Sequence, residues 1–187
     1  MMGIPYIEAY GEGEAQAAYL VENGDAWAVA SQDYDCLLFG AKRVVRNLAI
    51  NSNLGDLEYY NLKRVLDELG INRKQLIDMG ILIGTDFSEG LKGVGAKTAL
   101  KLAKKGELEN KLAKLQEESS HDISEVREIF LNHNVNTDYK IRWKKPAKND
   151  IIDFLCEEHG FSQDRVSKAC DKLKNLNSSQ KSLEDWF

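Results

Sequence analysis

The sequence predicts an α/β protein in which a partial parallel sheet with flanking helices comes first and a helical region follows. Short apolar segments at residues 4–10, 26–31 and 43–50 alternate with segments rich in helix-forming residues. That alternation is typical of a parallel α/β layer. Beyond about residue 61, apolar residues recur instead with the helical period. The last stretch, "NLNSSQKSLEDWF", is polar and predicts a flexible tail.

The elements of the α/β layer can be assigned in chain order. "IPYIEAY" predicts a short apolar strand. "GEAQAAYLVEN", at residues 13–23, is rich in helix formers and ends before Gly24, a residue that suits a helix end. "AWAVAS" predicts a buried strand, "DYDCLLFG" a short helix after it, and "RVVRNLAI" a third strand.

The helical region begins with an amphipathic helix and continues with a buried one. Leu62, Leu66 and Leu69 share one helix face, and Asn72 can cap the helix that follows. In that helix "LIDMGILIG" is apolar nearly all round, which predicts burial. These patterns predict three parts: residues 1–61 hold the α/β layer, residues 62–176 the helical region and residues 177–187 the tail.

Composition and charge narrow the class of protein. The chain has 187 residues, 43% of them hydrophobic, so it can bury a core, and it has no apolar run long enough to span a membrane. Three widely spaced cysteines predict reduced thiols in an intracellular protein. Residues 1–41 hold seven acids and no base, whereas residues 92–114 hold seven lysines against two glutamates. This division suits a protein that holds metal ions near a polyanion.

Carboxylates follow both of the first two predicted strands. Glu12 and Glu14 come after the first strand, and Asp33 and Asp35 come after the second. Because open α/β sheets place their sites at the carboxyl ends of parallel strands, we expect these acids to converge and to need a counter-charge. Hard divalent cations supply that charge, and Mg²⁺ is the usual one. The alternative is that these acids are solvated residues at helix starts, where negative charge is favourable.

A glycine-containing segment, "GTDFSEGLKGVGAK", connects the buried helix to an amphipathic one. Gly93 and Gly95 allow close approach of the backbone, and amides at the start of the second helix can hold a phosphate. Lys97 and Lys101 add positive charge, so the segment predicts a helix–hairpin–helix that binds duplex backbone without reading bases. Asp86 precedes the hairpin and is a fifth candidate metal ligand. The alternative is a plain turn between two helices.

The end of the tail carries the motif Q-x-x-L-x-x-W-F. Leu183, Trp186 and Phe187 would share one face of a helical turn and form an apolar plug, with Gln180 at its rim. Two large aromatic side chains are costly to expose without a partner. The motif therefore predicts docking on a partner protein, and the alternative is that the plug folds back onto the core of this chain.

Several of these segments resemble one family, the archaeal and eukaryotic flap endonucleases, which are structure-specific 5′ nucleases. The resemblance runs in family order through "MGIPYIEAYGEGEAQAAYLV", "ASQDYDCLLFGAKRVVRNL", "ILIGTDFSEGLKGVGAKTALKL" and the terminal "QKSLEDWF". It covers nearly the whole chain but only the C-terminal portion of the family. The implied fold is a 5′-nuclease core of the PIN-like type that is incomplete without its N-terminal portion.

The resemblance also implies cofactors, partners and their residues. Two Mg²⁺ ions, with Mn²⁺ as an alternative, would bind five of the family's seven metal-site acids, and K⁺ would bind backbone carbonyls of the hairpin. The tail would bind the sliding clamp. The implied residues are Glu12, Glu14, Asp33, Asp35 and Asp86 for the divalent metal, Gly93, Gly95, Lys97 and Lys101 for DNA, Gly90, Leu91 and Gly93 for K⁺, and Gln180, Leu183, Trp186 and Phe187 for the clamp.

The implied function is 5′ flap cleavage in DNA replication and repair, in a DNA-associated protein of an archaeal cytoplasm or a eukaryotic nucleus. The family's other two metal-site aspartates lie in its N-terminal portion, so we expect this chain to need that portion as a companion for activity and for full stability of the sheet. Two alternatives are a DNA- and clamp-binding module without chemistry and a scaffold that lost activity. Tyr10 and Gly11 depart from the Pro-Ser that the family often has there.

Overall fold

The α/β part of the molecule holds a three-stranded mixed sheet. The computed structural model describes residues 1–48 and 56–176, and the structural statements below concern those residues. The elements of this part are α1 (Gly13–Asn23), β1 (Val29–Ala30), α2 (Asp35–Leu38), β2 (Arg43–Arg46) and β3 (Glu58–Asn61). β1 pairs parallel with β2, and β2 pairs antiparallel with β3, so β2 is the central strand of the three.

The helix predicted at residues 13–23 is confirmed as α1. It ends at Gly24, whose φ of +85° is the left-handed conformation that terminates helices and that suits glycine. Ala15, Ala18 and Val21 form its buried face. Small apolar residues at this spacing allow α1 to pack closely against α2 and β1, which places the start of α1 near the end of β1.

The strand predicted at residues 4–10 does not form in the described sheet. Side chains along it alternate between exposed and half-buried, as in a strand. The backbone just before this segment instead forms hydrogen bonds with a part of the chain that is distant in sequence. The carbonyl of Gly3 accepts the amide of Lys144 at 2.9 Å, and the carbonyl of Met1 accepts the amide of Ala147 at 3.0 Å. Alternation marks residues suited to a strand, but the ladder also needs a partner strand, and sequence pattern does not identify one.

The third predicted strand is shorter than expected, and β3 was not predicted. β2 ends at Arg46, and Asn47 follows it with a φ of +60°, a conformation that a strand does not continue through. β3 reads E-Y-Y-N and lacks clear alternation, so the sequence pattern did not mark it as a strand. Its antiparallel pairing makes the sheet mixed, where the sequence predicted a parallel one.

Helices make up the rest of this part of the chain: α3 (Leu62–Leu69), α4 (Arg73–Ile83), α5 (Ala96–Lys105), α6 (Leu108–Glu118) and α7 (Ile123–Leu131). The side chain of Asn72 accepts the amide of Gln75 at 2.9 Å, and the Gln75 side chain accepts the amide of Asn72 at 2.9 Å. This capping box confirms the predicted start of α4. The predicted burial of α4 is also confirmed, since Ile77, Ile81 and Leu82 are fully buried.

One acid, Asp78, is buried on α4 with 3% of its surface exposed. Burial raises the pKa of its carboxyl, and the hydrogen bond and charge of Arg127 oppose that rise. Arg127 donates from Nε to Asp78 at 2.7 Å and from Nη2 to Glu109 at 3.1 Å. The guanidinium therefore joins α7, α4 and α6, and it supplies the charge partner that a buried carboxylate requires.

By internal contacts the described residues form two units, Ala9–Asn136 and a smaller unit made of Met1–Glu8 with the residues from Thr137 onward. The smaller unit contains α8 (Lys148–Ile152), a π-helical turn (Asp153–Glu158) and α9 (Gln163–Leu176). Its core is built on Ile151, Val166 and Cys170. The boundaries predicted after residues 61 and 176 stay predictions.

Candidate metal and nucleic-acid site

The first predicted pair of acids lies at the start of α1. Glu12 occupies the position just before the helix, and Glu14 lies in the first turn. Glu12 is exposed and Glu14 is half-buried. Negative charge is favourable at the positive end of a helix dipole, so the helix-start interpretation accounts for this pair when it is considered alone.

The second pair flanks Tyr34 directly after β1. Asp35 is the first residue of α2, and Asp33 lies two residues before it. Ser31, directly after β1, connects this pair to the first one: its hydroxyl donates to Glu14 Oε1 at 3.4 Å and accepts the amide of Asp33 at 3.2 Å. One side chain thus joins the start of α1 to the segment that leads into α2.

Electrostatics show that all five predicted acids gather around one carboxyl. Burial raises the pKa of Asp35, and the negative charges of the other four raise it further. In decreasing order of effect they are Asp86, Asp33, Glu14 and Glu12. Asp86 belongs to the loop after α4, so tertiary folding brings a third segment to the two pairs of acids. We call these five residues the acidic cluster; their role as metal ligands stays a prediction.

The donor chemistry of the acidic cluster fits a hard divalent cation, which prefers carboxylate oxygens. Within the two described ranges, however, no three Asp, Glu, His or Cys side chains lie close enough to hold one ion. The charge interactions with Asp35 extend over longer distances than coordination bonds do, so the two observations agree. The described part of the chain thus offers suitable ligands without completing a coordination sphere.

A second network, centred on Arg46, lies beside the acid pair and was not predicted. Arg46 donates from Nε to the Gln32 carbonyl at 2.9 Å and from Nη1 to Glu58 at 2.7 Å and to the Tyr34 hydroxyl. Its guanidinium carbon lies 4.0 Å from the centre of the Tyr34 ring. Tyr60 completes the network, with its hydroxyl 3.3 Å from that of Tyr34 and donating to Glu58 at 3.0 Å. One sequence signal for this network was available: Tyr34, the aromatic residue between the two acids of D-Y-D.

The hairpin after α4 is a tightly bonded turn. Ser88 is buried; its hydroxyl donates to the Ile81 carbonyl at 3.1 Å and accepts the Gly90 amide at 3.3 Å. Gly90 has a φ of +73°, and a Cβ on it would lie 2.5 Å from the Ile83 carbonyl oxygen. Only glycine fits this conformation and this close approach. The turn therefore has a defined backbone, as a helix–hairpin–helix requires.

Residues predicted to contact DNA lie where the hairpin meets α5. Gly93 has a φ of +85° with open space around it, and Gly95 is the residue just before α5. Lys97 and Lys101 are both exposed on α5. The arrangement leaves the start of α5 accessible to an anion. The predicted DNA contacts, and the K⁺ site at Gly90, Leu91 and Gly93, stay predictions.

Two further expectations concern the tail and membranes. The predicted clamp-binding residues lie outside the described ranges, and their role stays a prediction; they are Gln180, Leu183, Trp186 and Phe187. Of the helices in the described ranges, none combines the length and apolar character that crossing a membrane requires.

Comparison with known proteins shows which family has these features. The family model of the XPG I-region matches residues 3–86, the segment that holds the whole acidic cluster. A flap endonuclease 1 from Methanobrevibacter smithii is 98% identical over 187 residues, which cover all of this chain and 57% of that protein. The chain matches the C-terminal portion of archaeal flap endonucleases. The resemblance to the C-terminal portion of the flap endonuclease family, predicted from the sequence, is thereby confirmed.

Solved structures agree with the predicted flap endonuclease fold class. The flap endonuclease-1 from Methanococcus jannaschii is 44% identical, has a TM-score of 0.85 and aligns with 95% of this chain and 56% of its own. Human GEN1, in a complex with Holliday junction DNA, is 26% identical with a TM-score of 0.76, over 97% of this chain and 52% of its own. The α/β core with a helical region is confirmed, and the chain spans a little over half the length of these proteins.

Proposed function

We propose that the protein is a metal-dependent, structure-specific 5′ flap endonuclease of DNA replication and repair, whose site is completed by an N-terminal portion in a companion chain. The observation that carries the proposal is the convergence of negative charge on Asp35. Five carboxylates held together destabilise the folded chain unless a cation offsets their repulsion. Similarity to archaeal flap endonucleases along the whole chain supports the same function.

In the proposed site, carboxylates of the acidic cluster bind two Mg²⁺ ions, with Mn²⁺ as an alternative. When bound, such ions activate a water molecule and stabilise the leaving oxygen of a phosphodiester. The carboxylates hold the ions and do not themselves transfer protons. Ser31 restrains Glu14 and the backbone of Asp33, so the ligands of two segments stay in register. Further ligands would come from the N-terminal portion, since the described residues do not complete the coordination.

Duplex DNA would bind at the hairpin and at α5. The exposed ammonium groups of Lys97 and Lys101 would neutralise phosphates, and such contacts act on any base sequence. Gly93 and Gly95 leave room for the DNA backbone because they carry no side chain. Human GEN1, which shares the fold, is solved with branched DNA. The carbonyls proposed to hold K⁺ in the hairpin are those of Gly90, Leu91 and Gly93.

The tail would tether the enzyme to the sliding clamp, which would place the nuclease at DNA in the cytoplasm of an archaeon. Aromatic side chains that fill a pocket are the usual energetic centres of protein interfaces. The plug and its rim residue are Gln180, Leu183, Trp186 and Phe187.

A DNA- and clamp-binding module without chemistry is the second candidate. The incomplete set of metal ligands among the described residues favours it. The acidic cluster argues against it, because a binding module gains nothing from carboxylates that repel one another and repel DNA phosphates.

Reconstitution decides between the two candidates. The purified chain is mixed with the N-terminal portion of the Methanobrevibacter smithii relative, and cleavage of a labelled 5′ flap is measured with Mg²⁺. We expect little or no cleavage by the chain alone and clear cleavage by the mixture. Asp35→Asn should abolish that cleavage, whereas the matched control Asp67→Asn, an exposed acid on α3, should retain it. Flap binding without cleavage by the mixture would support the binding module, and strong cleavage by the chain alone would contradict the need for a companion.

A further inference from the structure

We propose that Arg46 is a positioning residue that holds the segment carrying Asp33 and Asp35 in its metal-binding geometry. The inference rests on the proposed function. Both of these acids belong to the acidic cluster, and neither bonds to Arg46 itself. Arg46 acts instead on the two residues between and beside them, Gln32 and Tyr34.

The contacts of Arg46 fix both backbone and side chain of this segment. Its Nε donates to the carbonyl of Gln32 at 2.9 Å, which is the peptide group that links Gln32 to Asp33. Its Nη1 donates to the hydroxyl of Tyr34, and its guanidinium lies 4.0 Å from the centre of the same ring. One rigid planar group therefore restrains the peptide before Asp33 and the side chain between the two acids.

Arg46 is in turn held by β3. Glu58 accepts its Nη1 at 2.7 Å, and Tyr60 donates to the same carboxylate at 3.0 Å. Tyr34 also meets Tyr60 edge to face, with ring centres 5.5 Å apart. Hydrogen bonding with Tyr34 and burial raise the pKa of Tyr60 to about 12, so its hydroxyl keeps its proton well above neutral pH. Strands β2 and β3 are thus linked by direct contacts to the segment that carries Asp33 and Asp35.

Exposure of Tyr34 argues that these contacts serve more than packing. Its surface is 49% exposed, so its ring contributes little to the hydrophobic core. Even so, its ring and its hydroxyl are both engaged, by Arg46 and Tyr60. Side chains outside the coordination sphere of a metal often orient its ligands in this way. Losing one typically weakens metal binding about 10- to 100-fold.

The chain contains a matched control for this role in Arg43, at the other end of β2. Arg43 donates from Nε to the Trp27 carbonyl at 2.5 Å, and its guanidinium lies 5.1 Å from the centre of a Trp27 ring. Trp27 stacks on Tyr59 with ring centres 5.7 Å apart. Arg43 therefore binds a carbonyl and an aromatic ring as Arg46 does, but none of its partners adjoins an acid of the cluster.

Terbium luminescence tests the proposal on the chain alone and with the N-terminal portion added. Tb³⁺ is a hard cation that binds carboxylates and emits when nearby tyrosine or tryptophan is excited. We expect Arg46→Gln to weaken Tb³⁺ binding at least about tenfold. Arg46→Lys keeps the charge and loses the planar guanidinium, so its Tb³⁺ affinity should lie between that of the unsubstituted chain and that of Arg46→Gln. Arg43→Gln should bind Tb³⁺ as the unsubstituted chain does, with melting curves recorded for every variant.

Each outcome separates the inference from the function on which it rests. If Asp35→Asn leaves Tb³⁺ binding unchanged, the proposed metal site itself is wrong. If Asp35→Asn weakens binding and Arg46→Gln does not, the site stands and the positioning role is refuted. Equal losses in Arg46→Gln and Arg43→Gln would show a general effect on the sheet and would also refute it. If Arg46→Gln does not fold, Arg46→Lys decides: unchanged affinity in that folded variant refutes the role.

Discussion

Asp35 and Asp86 are coupled across two distant segments of the chain. Burial is the largest cause of the raised pKa of Asp35, and the charge of Asp86 is the largest of the four acidic contributions that follow. Asp35 begins α2, whereas Asp86 lies in the loop after α4, just before the hairpin that we propose to contact DNA. The proposed DNA contact and the acidic cluster are therefore parts of one region.

This coupling leads to a prediction for the reconstituted enzyme. Asp35→Ala or Asp86→Ala should abolish flap cleavage, because each removes a proposed metal ligand. Flap DNA should bind as well as before or more tightly, since one negative charge fewer repels the phosphates. Single-turnover cleavage and DNA binding by fluorescence anisotropy measure the two effects separately. Cleavage at nearly the unsubstituted rate would show that the altered residue is not a ligand, and Asp67→Ala on α3 serves as the control.

Charge reversal on α5 should weaken DNA binding regardless of base sequence. Lys97→Glu with Lys101→Glu removes two exposed cations beside the hairpin. If each contacts a phosphate, the slope of log affinity against log salt should become shallower by about 1 for each lysine lost. The control is Lys63→Glu with Lys168→Glu, the same charge change on α3 and α9. Salt titrations with two unrelated duplexes are compared, and an unchanged slope in the α5 variant would locate the DNA contact elsewhere.

Two glycines of the hairpin should respond differently to the same substitution. Gly90 and Gly93 both have a left-handed φ, so alanine at either adds about 1 kcal/mol of backbone strain. A Cβ on Gly93 meets open space, whereas one on Gly90 would lie 2.5 Å from the Ile83 carbonyl oxygen. Gly90→Ala should therefore lower the free energy of unfolding by about 1–3 kcal/mol more than Gly93→Ala does. Urea denaturation of both variants gives the difference, and equal losses would mean that the turn relaxes around the methyl group.

The pair Asp78 and Arg127 should be worth more than either side chain alone. Arg127→Met leaves a buried carboxylate without its partner and should lower the free energy of unfolding by about 3–5 kcal/mol. Adding Asp78→Leu should restore most of that loss, because an apolar pair of similar volume needs no desolvation of charge. Chemical denaturation of the two single variants and the double variant forms the cycle, and additive losses would contradict the coupling.

Stability of Arg127→Met should also depend on pH in a definite direction. The substitution removes the hydrogen bond and the charge of Arg127, both of which lower the pKa of Asp78, so burial raises that pKa further above its unfolded value. A raised carboxyl pKa means that the folded state binds the proton more tightly, so unfolding free energy should fall as pH rises from about 4 to about 7. Asp78→Leu in the same background should remove the added slope.

Clamp binding should depend on the last two residues of the tail. Trp186→Ala with Phe187→Ala removes the aromatic plug and should abolish binding to an archaeal sliding clamp in a calorimetric titration. Flap binding should be unchanged. Trp143→Ala with Phe161→Ala, two exposed aromatic residues outside the tail, is the matched control and should keep clamp affinity. Clamp affinity that survives loss of Trp186 and Phe187 would disprove the assignment.

The sequence by itself determined the helices whose ends carry local signals. α1 ends before Gly24, and α4 begins after its cap Asn72, as the residues predicted. Helix hydrogen bonds and caps join residues three to five apart, so a short window of sequence holds the needed information. The two close pairs of acids were recognisable for a similar reason, since the members of each pair lie two positions apart, whereas Asp86 was predicted from its place before the hairpin.

Only the tertiary structure decided which distant groups meet. The pairing of β2 with β3, the ion pair of Asp78 with Arg127 and the hold of Arg46 on Tyr34 were all absent from the sequence prediction. A strand and a buried charge each need a partner, but nothing in their own residues specifies which segment supplies it. Tertiary packing determines that partner, because packing many segments at once leaves only a few polar groups within hydrogen-bonding distance of each other.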